Sequence, residues 1–332
     1  MAKGNSQRKW KRMILLIISL VLIVSLIALW FQVTQPMFSS STASHTVTVD
    51  SARLKTHVRM LSETLCPRNE AHPENLDRVA AYIRYEFEQA KGNVSEQAYQ
   101  VAGKTYRNVI ATFGPETKER IVVGAHYDAA GEFPGADDNA SGVAGLIELA
   151  YLLSSSSLPM RVELVAFTLE EPPYFRSEYM GSAMHATSLK QQGAQVRVMF
   201  SLEMIGFFSD AANSQQFPVS ALKAFYPSQG NFIAVVGKFD QGMIVRRVKK
   251  AMRGASPLPV YSINAPGVVP GIDFSDQLNY WKVGYHAVMI SDTAFYRNRN
   301  YHTARDTFEK LDYQRMAMVV QGVQAAVMEM MK

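Results

Sequence analysis

Five short stretches of this 332-residue chain carry side chains that bind metals or move protons. The run RIVVGAHYD ends in His126 and Asp128, two positions apart and so on one side of an extended strand. Such a pair is either a closed hydrogen bond or a metal-ligating imidazole oriented by a carboxylate. FPGADDNASGVAG sets Asp137 beside Asp138 in a Gly- and Asn-rich turn before a helix. Helix capping explains one acidic residue there. Two adjacent carboxylates repel unless a cation lies beside or between them, and a bridging carboxylate in a two-metal site has that cation. RVELVAFTLEE ends in Glu170 and Glu171, which form either a solvated strand end or a metal ligand next to a proton acceptor. Glu203 stands in the apolar run VRVMFSLEMIGFF, where a charge needs a partner. His302 follows in the polar loop YRNRNYHTARDT. Two imidazoles and several carboxylates are a donor set that suits zinc, and the single distant cysteine, Cys66, excludes a thiolate site. The chemistry they suit is metal-assisted hydrolysis.

These residues fall at the ends of apolar runs of strand length. YRNVIATFG, RIVVGAHYD, RVELVAFTLEE, VRVMFSLEMIG, NFIAVVG and HAVMISD read as strands, and SGVAGLIELAYLL as a helix between them. Helical spacing also marks residues 50–66 and 74–91, and a last helix is expected from about 307 to 331, opened by DTFE in the Asp-x-x-Glu form of a capping box. Strands apolar throughout, alternating with helices, imply an α/β domain with a mainly parallel sheet covered on both faces, whose sites lie beyond the carboxyl ends of the strands.

The pieces GAHYD, PGADDNASG, the Glu170-Glu171 pair, SLEMIG and SDQLNYWKVGYHAVM running on to YHTARDT resemble the zinc peptidases of clan MH, family M28, typified by bacterial leucyl aminopeptidases. The resemblance spans residues 126–306. It implies a single α/β domain with a mixed, mostly parallel central sheet flanked by helices on both faces. It implies two zinc ions per chain, one held by His126, Asp137 and Glu203 and the other by Asp137, Glu171 and His302. Asp137 would bridge, Glu170 would be the general base, and Asp128 would orient His126. The family more often has Asp where this chain has Glu203, and its SDH is here Ser275-Asp276-Gln277. PPYFRSEYM looks longer than usual and is expected to overhang the cleft and shape specificity. Glutaminyl cyclases share the fold, use one zinc, and commonly have Trp where this chain has Tyr301. A carboxypeptidase and a non-catalytic binding module on the same fold are further alternatives. No G-x-S-x-G elbow for a serine hydrolase occurs.

His45, His57, His72, His185 and His286 lie in segments read as tether, helices, a loop and a strand flank, and none is expected to bind metal. Arg297 and Arg299 read as solvated loop charges, or as a clamp for a substrate carboxylate. Cys66 reads as a small buried residue in a helix and leaves the domain to be stabilised by its core, without disulfides.

The formal charge of +5 comes from Lys3, Arg8, Lys9, Lys11 and Arg12, so the rest of the chain is balanced and no basic surface remains for a nucleic acid. Residues 13–31, MILLIISLVLIVSLIALWF, carry no charge and are long enough to span a bilayer as an uncleaved helix. The cations before it predict a cytoplasmic N-terminus. The organisation read from these signals is a basic tail over 1–12, an anchor over 13–31, a Ser- and Thr-rich tether over 32–49 and a catalytic domain over 50–332, periplasmic or extracellular and acting on peptides. Oligomeric state leaves no trace in the sequence.

Overall fold

Where apolar residues run without interruption both faces of a strand must be covered, and the centre of the sheet shows how. In β3 (Glu119–His126) Ile121, Val123 and Ala125 enter one core cluster and Val122 the other. β4 (Arg161–Phe167) and β5 (Gln195–Glu203) divide the same way, with Leu164 and Phe200 on the first face and Phe167 and Met199 on the second. Each such buried aliphatic or aromatic side chain contributes about 1.5–3 kcal/mol. Gly124 is required by this packing, since a Cβ there would lie 2.1 Å from the Phe167 ring.

The structure, a computed structural model, describes residues 2–37 and 47–332, with the backbone alone for residues 2–7. With β1 (Asn93–Val101), β2 (Lys104–Phe113), β6 (Ile233–Gly237), β7 (Val260–Asn264) and β8 (Ala287–Ser291), the strands form one sheet in the order β1-β2-β4-β3-β5-β8-β6-β7. The central strands β4, β3, β5 and β8 run parallel, as do β6 and β7, whereas β1–β2, β2–β4 and β8–β6 are antiparallel. This is the mixed, mostly parallel sheet expected.

On one face of the sheet pack α2 (Ser51–Arg59), α3 (Pro73–Gln89), α4 (Gly142–Ser154), α6 (Gly242–Ala255) and α8 (Tyr313–Met330); on the other lie α5 (Gly181–Gln191) and α7 (Gln277–Lys282). Pro73 occupies the first turn of α3, where its missing N–H costs nothing. The helix expected over 50–66 is α2 followed by a wider turn at Met60–Thr64, and Cys66 lies beyond it, half-buried in a loop rather than in a helix. The last helix starts at Tyr313, later than expected: Asp312 caps it by accepting the Arg315 N–H, and Asp306 of DTFE serves elsewhere. β1, α6 and β7 were not anticipated. β1 alternates polar with half-buried residues at the sheet edge, which leaves little apolar signal.

Ahead of the domain, α1 (Ala2–Thr34) contains the stretch Arg8–Thr34, long and apolar enough to cross a membrane. The segment read as a tether from residue 32 is not free at its start. Gln32–Thr34 continue the helix, and Lys249 donates to the carbonyls of Thr34 and Gln35 at 2.9 and 3.0 Å. Residues 38–46 of that segment, His45 among them, lie outside the described residues.

Candidate metal centre

The carboxyl ends of four adjacent parallel strands converge on one point. β3 delivers His126 as its last residue, β5 delivers Glu203, the turn after β4 carries Glu170 and Glu171, and the loop after β8 leads to His302. His126 Nδ1 lies 3.1 Å from the backbone oxygen of Asp128 and 3.6 Å from its Oδ1. Both neighbours are acceptors, so Nδ1 carries a proton and Nε2 points into the site. Asp128 Oδ2 also accepts the Glu171 N–H at 3.0 Å, which ties the Glu170-Glu171 turn to the end of β3.

Asp138, not Asp137, stands between the imidazoles. Its Oδ1 is 3.4 Å from His126 Nε2 and its Oδ2 is 2.9 Å from His302 Nε2. Glu203 Oε2 lies 3.3 Å from His126 Nε2, and Glu171 Oε2 lies 3.3 Å from His302 Nε2. Asp137 points away, with Oδ1 accepting the Gly206 N–H at 3.0 Å and Oδ2 accepting from Asn298 Nδ2 at 2.8 Å. The bridging role expected of Asp137 is therefore corrected: its oxygens are already engaged and those of its neighbour face the ligands.

Local backbone geometry causes the exchange. Within the turn Ala136–Ser141, Asp138 (φ −105°, ψ 90°) and Asn139 (φ −131°, ψ 41°) leave helical conformation, so the adjacent side chains diverge. Asp306 accepts the N–H groups of both Asp137 and Asp138 at 3.1 Å. Asn139 completes the turn by donating to Leu202 O at 2.8 Å and accepting from Gly142 and Met204 N–H. Arg68, fully buried, donates to the carbonyls of Tyr127, Pro134 and Gly135 and so joins the end of β3 to the approach to the turn. Sequence reasoning missed Asp306, Asn139 and Arg68. Asp306 carried a signal, an acidic residue four positions after His302, but the capping-box pattern explained it away.

The donor set fits a metal. His126, Asp138 and Glu171 each offer a ligand atom, all within 4.8 Å of one another. His126 Nε2 and Glu171 Oε1 are buried without a hydrogen bond, a costly state for polar atoms that a cation relieves. Charges in the site respond to one another as well as to burial. For His126, burial opposes the charged ring, but Glu203 and Glu170 outweigh it and raise its pKa well above the usual value. His302 is raised to about 10 against its own burial by Asp138 and Glu171. Burial pushes Glu171 up to about 8, with Asp138 adding to it. Burial also pushes Glu170 well above the carboxylate range, opposed by His126 and reinforced by Glu203. Asp138 alone is lowered, because the two imidazoles overcome its burial.

Around this centre, Ser275 Oγ donates to Glu203 Oε2 at 2.6 Å. Tyr301 stacks on the His302 ring at 3.8 Å between centroids. The turns over residues 172–180 are tied to the opposite loop by Arg176, 2.7 Å from Asp273. Arg297 is not a solvated charge: it is buried, donates to Gln215 Oε1 and Phe207 O, and lies over the Phe232 ring. Arg299 is exposed. His57 and His185 lie on helices, bonded to Tyr82 and Tyr280, away from the centre. An apolar cleft lined by Phe217, Leu222, Tyr226, Phe274 and Met289 reaches Glu203 and Tyr301.

A sequence profile described as Peptidase family M28 matches residues 108–327. The chain is 48% identical over 279 residues to the protein "Uncharacterized protein YfbL" of Escherichia coli, covering 82% of this chain and 85% of the relative. It is 24% identical over 223 residues to leucine aminopeptidase 1 of Ajellomyces dermatitidis, covering 63% of this chain and 52% of that protein, so it spans about half of that relative's length. In fold it is similar to BSAP, a zinc aminopeptidase from Bacillus subtilis, with a TM-score of 0.70 at 15% identity over 86% of this chain and 96% of the other. A glutaminyl cyclase from Bacteroides thetaiotaomicron superposes with a TM-score of 0.63 at 18% identity over 85% of this chain and 99% of the other. The profile covers most of the chain and all of the converging strand ends, and the chain belongs to peptidase family M28, the family that its motifs over residues 126–306 resemble.

Proposed function

We propose that this chain is a membrane-anchored aminopeptidase with two zinc ions. His126, Asp138 and Glu203 would hold one ion and Asp138, Glu171 and His302 the other. The observation that carries this reading is the division of Asp138, one oxygen facing each imidazole, with a second carboxylate beside each ring. Zinc, when bound, acidifies a water and polarises the scissile carbonyl.

The chain's own residues supply the rest. Glu170 lies 3.8 Å from His126 Nε2 and next to Glu171, and burial raises its affinity for a proton. It accepts the proton of the attacking water and returns it to the departing amine. Asp128 holds His126 in the tautomer that presents Nε2. The apolar cleft beside Glu203 and Tyr301 supports a preference for a large apolar side chain in the substrate.

The anchor reading rests on the uncharged run 13–31 within α1 and on the cations before it, which favour a cytoplasmic N-terminus and an exported domain. A digest of a peptide library by the full chain in detergent, with and without chelator, tests the function by mass spectrometry. Chelator-sensitive loss of single N-terminal residues is expected. Loss of ammonia from N-terminal glutamine would make it a cyclase, and trimming from the other end a carboxypeptidase.

A further inference from the structure

The last carbonyls of a helix have no partner within it, and that of Thr34 at the end of α1, with that of Gln35 just beyond, is taken by the catalytic domain. Lys249, 3% exposed, donates to Thr34 O and Gln35 O, and Ser262 Oγ of β7 donates to Thr34 O at 2.9 Å. Gln32 Nε2 donates to Phe239 O at 2.7 Å. A Cβ at Gly242 would lie 3.2 and 3.3 Å from the side-chain amides of Gln35 and Gln32. Arg246 lines a cavity with Gln32 and Gln35, and Arg253 lines another with Trp30, Thr34 and Met37. Positions 242, 246, 249 and 253 share one helical face, so a whole face of α6 crosses the end of the apolar helix.

That crossing fixes the depth of α6. The apolar run ends at residue 31, and at ~1.5 Å rise per residue the partners of α6 lie within about one turn of it. At this level α6 exposes Met243 (84%), and the neighbouring loop exposes Phe225 (52%), which shares the Trp30 cavity. Arg246 and Lys250 are exposed on the same helix. Apolar side chains flanked by cations, beside an interfacial Trp, are the composition of a surface seated in lipid headgroups.

We propose that the N-terminal half of α6 and the loop carrying Phe225 form a foot seated in the bilayer surface. Met243 and Phe225 enter the acyl boundary, and Arg246 and Lys250 meet lipid phosphodiesters. The foot rests on the reading of α1 as a membrane span. It makes the domain a body clamped to the membrane, whereas a flexible tether would let it swing. Tyr226 and Tyr261 line both the cavity that receives Thr34 and the apolar cleft at Glu203, so the clamp also holds that cleft close to the membrane surface.

The test uses the full chain with Cys66→Ser, reconstituted in nanodiscs of phosphatidylglycerol and phosphatidylethanolamine. A single nitroxide is placed through Met243→Cys, and for comparison through Leu22→Cys in α1 and Tyr85→Cys on the exposed face of α3. Power saturation by oxygen and by a water-soluble nickel chelate reads the depth of each. The foot predicts several-fold less nickel access at 243 than at 85, and Lys249→Ala should raise access at 243. Equal nickel access at 243 and 85, with 22 inside the bilayer, overturns the foot and leaves the anchor standing. Aqueous access at 22 overturns the anchor and the foot with it.

Discussion

Asp138 sets its Oδ2 2.9 Å from His302 Nε2, while Asp137, its neighbour in sequence, spends its Oδ2 on Asn298. The two carboxylates therefore have different jobs, and substitution separates them. Asp138→Asn should lower zinc retention on gel filtration by at least ~10-fold, with loss of hydrolysis. Asp137→Asn should leave zinc content near that of the parent and lower the melting temperature, because an amide nitrogen then faces the Asn298 amide. Equal zinc loss in both would contradict the division.

Asp306 reaches the centre only through backbone, by accepting the N–H groups of Asp137 and Asp138. It is a positioning residue. Asp306→Ala should weaken zinc binding by about 10- to 100-fold, measured by chelator competition, while Asp306→Asn, which keeps one acceptor oxygen, should recover part of the loss. An unchanged zinc affinity in Asp306→Ala would show that the turn holds its shape without that anchor.

How much of this was readable beforehand follows from what each signal depends on. The strand ends at His126, Glu170-Glu171 and Glu203 stood out because a central parallel strand is apolar on both faces and its first polar residues mark where cover ends. The choice between Asp137 and Asp138 was not readable from composition or spacing. It depends on two non-helical residues inside one turn and on Asp306, far along the chain. The docking of Gln32–Gln35 was hidden for a similar reason, since Lys249 and Ser262 declare themselves as partners only once α6 and β7 are placed. Arg297 looked solvated because neighbouring Arg299 and Asn300 are polar, yet it is enclosed by Phe208, Phe232 and Gln215.

Acid should destabilise the domain through buried histidines. Burial, with Arg53 adding to it, lowers the His57 imidazole to about 4; Tyr82 OH lies 2.6 Å from its Nδ1 and Glu148 3.8 Å from its Nε2. Burial also brings His185 to about 4, with Glu163 opposing. An unfolded histidine titrates near 6.5, so between pH 6.5 and 4 the unfolded chain binds more protons. The stabilisation is complete above pH 6.5 and is lost as pH falls toward 4, by about 3 kcal/mol for each histidine. In zinc-loaded protein the melting temperature should fall less steeply over that window in His57→Gln than in the parent. Identical slopes would remove His57 from the account.

The central claim is that Glu170 moves the proton while its neighbour and Asp138 serve the metal, and one substitution addresses it directly. Glu170→Gln keeps the size and removes the base, and general-base catalysis contributes about 10²- to 10⁴-fold. Measured on an N-terminally unblocked peptide, kcat should fall by that factor, with bound zinc per chain and KM close to the parent values. A Glu170→Gln enzyme that cleaves within a few-fold of the parent, at equal zinc content, would contradict the mechanism.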